Sequence, residues 1–340
     1  MRLIFIGFGT VGQGLAELLL EKKNHLAEKY GFKYKVIGIS DINLGSLYDP
    51  GGINLEKALK AASATGKLDS SLGPVYEKDA VRMIQDAEAD VILEATYTDI
   101  KTGEPATSHI RTALSKGLHV VTTNKGPLAL HYHELVRLAE DNNAKFLFEG
   151  TVMSGTPLLN LIRETLAGSS IQEIKGILNG TTNYILTQME AGMSYDTALK
   201  KAQELGYAEA VPDADVLGWD ALAKVSILAK VVFGANKDPF EYPCEGITGI
   251  SAEAVADARA SGKRYKLIGK VWREANEVKA SVGPEKVDLS HPLSGVTGAT
   301  NAVSICSDTL GEITIVGPGA GKRETGFSLL ADLLKVGGIK

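Results

Sequence analysis

The chain has 340 residues, of which 44% are hydrophobic and 23% are charged, and its formal net charge is −5 at pH 7. This length predicts two or three domains with ample material for a buried core. The mildly acidic balance gives no reason to expect nucleic acid or an anionic membrane as a partner. Cys244 and Cys306 are the only cysteines, too few for a disulfide scaffold or a thiolate zinc site.

The first residues do not form a membrane-targeting signal. Residues 1–6 read as a strand, whereas a secretory signal has a cationic start and then a long apolar run. No apolar run has the length needed to span a bilayer. Together with the low cysteine count, this favours a cytoplasmic protein.

The sequence has two parts with different patterns of predicted strands and helices. Up to about residue 150, strands at 3–6, 35–39, 91–95, 119–122 and 145–148 alternate with helices at 10–29, 105–116 and 127–142, and 48–73 reads as a surface insertion. This alternation predicts a parallel sheet with helical crossovers. From residue 170, a strand at 171–178 is followed by helices at 181–191, 195–205 and 216–233. Turn-linked strands at 264–272, 277–282, 303–307 and 312–316 then favour an antiparallel sheet, and a last helix covers 322–335. The predicted fold class is α/β, with a Rossmann-type first domain and an α+β second domain.

A glycine-rich loop joins the first strand to the first helix, and it consists of Gly7, Phe8, Gly9, Thr10, Val11 and Gly12. In dinucleotide-binding folds the first glycine allows a tight turn, the second lets the backbone approach a pyrophosphate, and the third brings helix and strand together. The amides at the helix N-terminus then bind the phosphates. Glycines at such a turn also occur for packing alone, but the position within a βαβ unit favours dinucleotide binding.

Asp41 follows the second strand, where an acidic residue binds a ribose 2′-hydroxyl and favours NAD. The alternative is an ordinary turn aspartate before Asn43 and Gly45. Residues 40–50 contain no Arg or Lys to hold the 2′-phosphate of NADP, although Lys57 could reach it. The sequence therefore favours NAD slightly.

Polar residues also follow two later strands. The segment Glu94-Ala95-Thr96 and Lys125 lie at or just beyond the carboxyl ends of strands, where parallel sheets bind their ligands. The alternative for both is a solvated loop residue. The segment 149–157 joins the two domains, and as a bent loop it could present backbone carbonyls to a hard cation or serve only as a hinge.

The helix from Val216 to Gly234 is apolar nearly all round, and its only charged residues are Asp220, Lys224 and Lys230. Asp220 and Lys224 are four residues apart, so they share one face and form an ion pair in the favourable order. A helix of this kind is usually buried, and a buried charge is costly unless it is paired or used. The alternative is a structural ion pair between domains.

The loop before this helix is acidic. Glu209, Asp213 and Asp215 precede the ion pair, and they would complement a substrate that has a free ammonium group. A small substrate with a cationic end is therefore expected.

At this point the chain resembles the homoserine dehydrogenases. The matching segments occur in family order along nearly the whole chain, at residues 7–12, 122–125, 149–157, 176–186, 206–224, 317–321 and 332–333. The most specific are Asn179-Gly180-Thr181-Thr182-Asn183-Tyr184-Ile185-Leu186 and the set Glu209, Asp215, Asp220 and Lys224. Neither an aspartokinase segment nor an ACT-like regulatory segment is found, so we expect the short form of the family.

The resemblance implies reversible oxidation of L-homoserine to L-aspartate 4-semialdehyde with NAD or NADP, in the threonine and methionine branch of aspartate metabolism. It implies that Lys224 donates the proton, that Asp220 supports it, and that Lys125 lies near both the nicotinamide and the reacting oxygen. The substrate would be held by Glu209, Asp215, Gly180 and Thr181. Thr96 and Gly319 would approach the cofactor.

The resemblance also implies a sodium ion on the carbonyls of Glu149, Val152, Ser154 and Thr156. It implies a homodimer built on the antiparallel sheet. The expected domains are a dinucleotide-binding domain of residues 1–150 with the C-terminal helix 318–340, and a catalytic and dimerisation domain of residues 151–317.

Two other functions remain compatible with the residues themselves. A different NAD(P)-dependent amino-acid or oxo-acid oxidoreductase would keep the glycine loop but need not have Glu209 and Lys224. A non-enzymatic dinucleotide sensor would have no reason to bury Asp220 beside Lys224.

Overall fold

A computed structural model describes residues 1–339, and the chain forms two units. Unit 1 comprises Met1–Gly155 and the residues from Gly321 on, and unit 2 comprises Thr156–Ala320. Each unit is built around its own sheet.

The sheet of unit 1 consists of β1 (Arg2–Ile6), β2 (Lys35–Asp41), β3 (Gly45–Tyr48), β4 (Val91–Glu94), β5 (His119–Thr122) and β6 (Phe146–Leu147). Their order is β3-β2-β1-β4-β5-β6, and all pairs are parallel except β2 with β3. The central strands are apolar and buried almost throughout, as expected for parallel strands covered on both faces. The predicted Rossmann-type sheet is confirmed.

The helices of the first part of the chain are α1 (Thr10–Glu21), α2 (Lys23–Tyr30), α3 (Leu55–Ala64), α4 (Ala80–Asp86), α5 (Ala106–Ser115), α6 (Lys125–Asp141) and α7 (Gly150–Met153). Except for α7, which follows β6, they lie in the connections between strands of this sheet. Because α1 begins directly after β1 and α6 directly after β5, both helices start at the carboxyl edge of the sheet. This is the edge where such folds bind ligands.

Unit 2 has an antiparallel sheet of β7 (Ile171–Ile177), β8 (Lys263–Glu274), β9 (Glu277–Asp288), β10 (Thr300–Ser307) and β11 (Gly311–Pro318), in the order β11-β10-β7-β8-β9. Its helices are α8 (Gly180–Glu190), α9 (Tyr195–Glu204), α10 (Asp213–Val216), α11 (Trp219–Phe233) and α12 (Ala252–Ala260). Helix α11 packs on β8 and β9, and α8 packs on β8, β10 and α12. The predicted α+β second domain is confirmed.

The last helix, α13 (Lys322–Val336), belongs to unit 1 and packs closely on α1. A Cβ added to Gly14 would lie 2.1 Å from the carbonyl oxygen of Lys322, and one added to Gly326 would lie 2.5 Å from the carbonyl carbon of Gly14. Only glycine at both positions allows this approach. Ion pairs Lys322–Glu17 and Arg323–Glu21 flank the contact.

Several predicted boundaries are wrong for identifiable reasons. The helix expected over 216–233 begins at Trp219, because Gly218 has a positive φ of 87° and separates it from α10. The helix expected over 10–29 is broken at Lys22, and the strand expected over 312–316 extends from Gly311 to Pro318 as β11. The short elements β3, α4 and α12 were missed, although Asp79 and Ser251 cap the two helices as such residues do.

Within residues 1–339, none of the helices combines the length and the apolar character that crossing a membrane requires.

Candidate functional site

The glycine loop between β1 and α1 has the geometry of a phosphate-binding turn. Gly7 has a φ of +89°, and a Cβ there would lie 2.5 Å from the carbonyl oxygen of Ala95. A Cβ on Gly12 would lie 2.5 Å from the carbonyl oxygen of Gly7, whereas one on Gly9 would meet nothing within 4 Å. Gly9 precedes α1 without a side-chain cap, so the first amides of the helix are left for an anion. The loop fits a dinucleotide pyrophosphate.

Asp41 lies at the end of β2 with its carboxylate fixed beside this loop. Oδ2 accepts a hydrogen bond of 2.8 Å from the backbone N–H of Phe8. Oδ1 accepts bonds of 2.9 and 3.0 Å from the N–H groups of Asn43 and Leu44. Asp41 therefore has the turn role that was weighed for it, and it also holds the glycine loop to the β2–β3 hairpin.

A buried network links the ends of β4 and β5. Glu94 is fully buried, and its Oε1 accepts from the hydroxyl and the backbone N–H of Thr96 while Oε2 accepts from Thr122 Oγ1 at 3.0 Å. Asn124 donates to the carbonyl oxygens of Thr96 (3.2 Å) and Tyr97 (2.9 Å), and its own side chain caps α6.

Lys125, the first residue of α6, is thereby brought to the same edge as Thr96. The sequence placed Glu94 at a strand end but did not indicate that it bridges two strands. Its signal was an acidic residue that ends an otherwise apolar strand.

The segment proposed for a cation is buried. The exposed fractions of Glu149, Val152, Ser154 and Thr156 are 3%, 1%, 3% and 7%. The backbone turns sharply at Ser154, where φ is +53°, and the Ser154 hydroxyl lies 2.7 Å from that of Thr325. No cluster of His, Cys, Asp and Glu suited to a metal occurs among residues 1–339.

In unit 2, Lys224 is the cation of a buried charge network. It is 7% exposed, and its Nζ donates to the carbonyl oxygen of Leu178 (2.6 Å) and to Asp220 Oδ2 (2.7 Å). The Asn179 amide nitrogen donates to Asp220 Oδ2 (3.0 Å) and to Asp215 Oδ1 (2.6 Å). An ammonium has three N–H donors, and within the described chain two of them have these acceptors. One donor direction is left for a ligand.

Asn179 organises this network, a role that was not expected from the sequence. It is the residue before α8, and its Oδ1 accepts from the backbone N–H of Thr182 at 2.9 Å, so one side chain both caps the helix and bridges two carboxylates. The sequence contained the capping signal, an Asn before a helix. The carboxylates that it binds lie 36 and 41 positions further on, which no local pattern reveals.

The pKa of Asp215 is raised, chiefly by burial and then by the negative charge of Asp220. Hydrogen bonding to Asn179, the charge of Lys224 and hydrogen bonding to Thr181 oppose the shift. An anionic Asp215 at neutral pH is therefore held beside a second carboxylate at a cost, which a cationic ligand would relieve.

Gly180 and Thr181 form the first turn of α8 beside this network. The Thr181 hydroxyl donates to the carbonyl oxygen of Tyr207 at 2.5 Å. Glu209 is solvent-exposed, and within residues 1–339 its carboxylate has no bond to the network. Gly319 lies in unit 2 beyond β11, where a Cβ would lie 2.1 Å from the side chain of Asn301.

Unit 1 is a Rossmann-type unit with an open glycine loop, and unit 2 presents a buried lysine and paired carboxylates. These features define a dinucleotide-dependent oxidoreductase. The model of the homoserine dehydrogenase NAD-binding domain matches residues 7–149, and that of homoserine dehydrogenase matches residues 157–334. The chain belongs to the homoserine dehydrogenase family.

Similar proteins cover the chain almost completely. The NAD(+)-dependent homoserine dehydrogenase of Pseudomonas canavaninivorans is 44% identical over 98% of this chain and 96% of its own length. The homoserine dehydrogenase of Methanocaldococcus jannaschii is 40% identical over 99% and 98%. The crystal structure of a putative homoserine dehydrogenase from Archaeoglobus fulgidus has a TM-score of 0.90, with 38% identity and 99% of both chains covered. A hyperthermophilic archaeal homoserine dehydrogenase in complex with NADPH has a TM-score of 0.84 at 33% identity, over 99% of this chain and 97% of its own.

The raised pKa of Asp215 predicts how stability depends on pH. A carboxyl whose native pKa lies above its unfolded value binds its proton more tightly in the folded state, so its contribution to stability falls as pH rises through that interval. Asp215→Asn removes this titration. The variant should gain unfolding free energy relative to the unchanged protein as pH rises from about 4, the ordinary value for Asp, to 7.

The measurement is urea unfolding across this pH range. Asp213→Asn is the matched control, because Asp213 is an exposed acid of the same helix. The expected result is contradicted if the gain in unfolding free energy of Asp215→Asn over the unchanged protein is independent of pH or shrinks as pH rises. The charge of Asp215 would then not be costly in the folded state.

Proposed function

We propose that this chain interconverts L-homoserine and L-aspartate 4-semialdehyde with NAD or NADP, and that Lys224 carries the proton. The reaction serves threonine and methionine biosynthesis, as in the family as a whole. The proton is assigned to Lys224 because its buried ammonium lies beside two carboxylates and has one N–H donor that Leu178 and Asp220 do not use.

Lys224 has the features required of an acid at a developing alkoxide. Leu178 and Asp220 fix two of its N–H directions, so the third is oriented before substrate arrives. A preorganised donor costs no reorganisation when charge develops on the substrate oxygen. In the direction of reduction, Lys224 gives its proton to the aldehyde oxygen, and in the reverse direction it receives the hydroxyl proton.

The substrate ammonium would bind to the acidic side of the same network. Asp215 is half-buried and its pKa is raised, so a bound cation lowers the cost of its charge. Glu209 would close over the substrate from its exposed loop, and backbone groups of Gly180 and Thr181 at the start of α8 would add contacts. This pairing of the substrate ammonium with acidic side chains would select a small amino acid as the substrate.

A bound nicotinamide dinucleotide supplies the hydride to the aldehyde carbon or accepts it from the alcohol carbon. The residues that would hold it in unit 1 are the glycine loop (Gly7, Phe8, Gly9, Thr10, Val11 and Gly12), Asp41, Thr96 and Lys125. The family resemblance assigns Gly319 to the cofactor as well. In this proposal unit 1 is the dinucleotide-binding domain and unit 2 the catalytic and dimerisation domain.

We infer a preference for NAD over NADP. Asp41 is fixed beside the glycine loop by three backbone N–H groups, so its charge cannot move away from a 2′-phosphate. Lys57, which is exposed, is the first basic residue after Asp41 in the sequence that could offset that repulsion.

A sodium ion would bind to the backbone carbonyls of Glu149, Val152, Ser154 and Thr156. The support is that all four residues are buried and that the chain turns at Ser154, since hard cations take oxygen ligands from bent backbone. Replacing sodium by choline at constant ionic strength should lower turnover, and unchanged turnover would remove the ion from the proposal.

A second copy of the chain would pair through the antiparallel sheet of unit 2. Its β7, β8 and β10 carry a partly exposed set of side chains on one face, namely Glu173, Lys270, Trp272 and Cys306. Light scattering should give twice the mass of one chain, and a monomer at micromolar concentration would reject this assembly.

Replacing Lys224 should abolish turnover without loss of cofactor binding. Lys224→Met keeps most of the side-chain volume but removes the proton donor, so kcat should fall at least about 1,000-fold. The dissociation constant of the dinucleotide should stay within about twofold. Turnover is followed by the absorbance of the reduced nicotinamide, and dinucleotide binding by calorimetry.

Lys230→Met is the matched control, because Lys230 is a second buried lysine of α11 whose Nζ donates instead to the carbonyl oxygen of Lys237 at 2.6 Å. It should retain turnover. A Lys224→Met protein with kcat within tenfold of the unchanged enzyme would exclude Lys224 as the acid.

Cofactor preference should respond to the charge of Asp41. The unchanged protein should have a higher kcat/KM with NAD than with NADP. Asp41→Asn keeps a side-chain acceptor for the turn but removes the charge, and it should raise kcat/KM for NADP about tenfold, the factor that corresponds to a repulsion of about 1.4 kcal/mol. A higher kcat/KM with NADP in the unchanged protein would overturn the preference.

A further inference from the structure

Unit 2 contains a second buried lysine cluster that the proposed reaction does not use. Lys266 on β8 is 1% exposed, and its Nζ donates to Asn183 Oδ1 (2.9 Å) and to the carbonyl oxygen of Val296 (2.5 Å). No ion pair within residues 1–339 includes it; the nearby charges Glu190 and Arg264 pair with each other at 2.8 Å. The side chain is an ammonium held by neutral oxygens.

Burial of this ammonium is costly. It lowers the pKa of Lys266 to about 8, with the positive charge of Arg264 adding to the shift and the negative charge of Glu190 opposing it. Replacing the lysine and its polar partners together by apolar side chains of similar volume would often be neutral or stabilising. The cost of burying this ammonium therefore points to a role beyond stability.

Lys266 fixes the orientation of the Asn183 amide. With Oδ1 accepting from Lys266, the Asn183 amide nitrogen faces three backbone carbonyls, those of Val296 (3.3 Å), Gly298 (2.9 Å) and Thr300 (3.2 Å). Asn183 is completely buried, so loss of the lysine would leave its oxygen without a donor. The ammonium and the amide together hold the segment 296–300 in one shape.

This segment supports the start of α8. A Cβ added to Gly180 would lie 2.6 Å from the carbonyl oxygen of Ala299, so the two backbones are in direct contact. Packed interiors transmit such contacts with little compliance. A shift of Ala299 would therefore move Gly180, and with it Asn179 and Thr181 on either side.

We propose that Lys266 is a positioning residue for the amino-acid substrate, which acts by holding Asn183 and the segment 296–300 against the turn formed by Asn179, Gly180 and Thr181. This inference rests on the proposed function, because that turn is where the substrate is assigned. Lys266 itself touches neither substrate nor cofactor.

The test compares Lys266→Met with Lys230→Met. Both lysines are buried in unit 2 and donate to backbone oxygens, but Lys230 bonds to Lys237, away from α8. Lys266→Met should raise the KM for homoserine at least about tenfold, while the KM for the dinucleotide stays within about twofold. Lys230→Met should change neither KM.

A third variant separates the hydrogen bond from the charge. Lys266→Gln keeps an N–H donor for Asn183, so it should restore the KM for homoserine to within about threefold of the unchanged value. If Lys266→Met does not fold, Asn183→Ala removes the same bridge and should show the same rise in KM for homoserine.

A native KM for homoserine in folded Lys266→Met would overturn the inference, and so would an equal rise in both KM values, which indicates general loosening. The proposed function fails in a different way, since the unchanged protein would then not turn over homoserine at all.

Discussion

The structure of unit 2 depends on one arrangement of buried charges. Lys224 and Asp220 are a turn apart on α11, Asp215 lies on α10, and Asn179 before α8 donates to both carboxylates. Removing any member leaves a buried charge with fewer partners than it needs, which is where single substitutions cost most. Three separate chain segments are therefore held together by groups that would be unfavourable individually. In the proposed function, this constraint leaves one N–H donor of Lys224 and the carboxylate of Asp215 oriented toward a small zwitterion.

Unit 1 shapes its proposed site chiefly through backbone geometry, which two acidic side chains support. Gly7 and Gly12 bring strand and helix together, Gly9 leaves open space at the N-terminus of α1, and Asp41 ties the loop to the next strand. Glu94 performs the corresponding task at the ends of β4 and β5. In both units, then, the groups that would meet ligands are held by buried polar residues behind them, which is how a site keeps its geometry before a ligand binds.

The sequence predicted what depends on local spacing. The ion pair of Asp220 with Lys224 and the glycine loop after β1 each depend on residues that are close in sequence. The structure contains both. The sequence did not indicate the bridging roles of Asn179, Glu94 and Lys266. Their partners lie in distant segments that only the fold brings near. The start of α11 was misplaced for a local reason, since Gly218 adopts a left-handed conformation within an otherwise apolar run. The short helix α12 is rich in alanine, which gives little periodicity to detect.

The most direct measurement is a crystal structure of the complex with homoserine and an oxidised dinucleotide. The account predicts that the substrate hydroxyl lies within hydrogen-bond distance, about 3 Å, of Lys224 Nζ, with the substrate ammonium beside Asp215. A structure in which another side chain contacts that hydroxyl while Lys224 bonds only to Leu178 and Asp220 would contradict it.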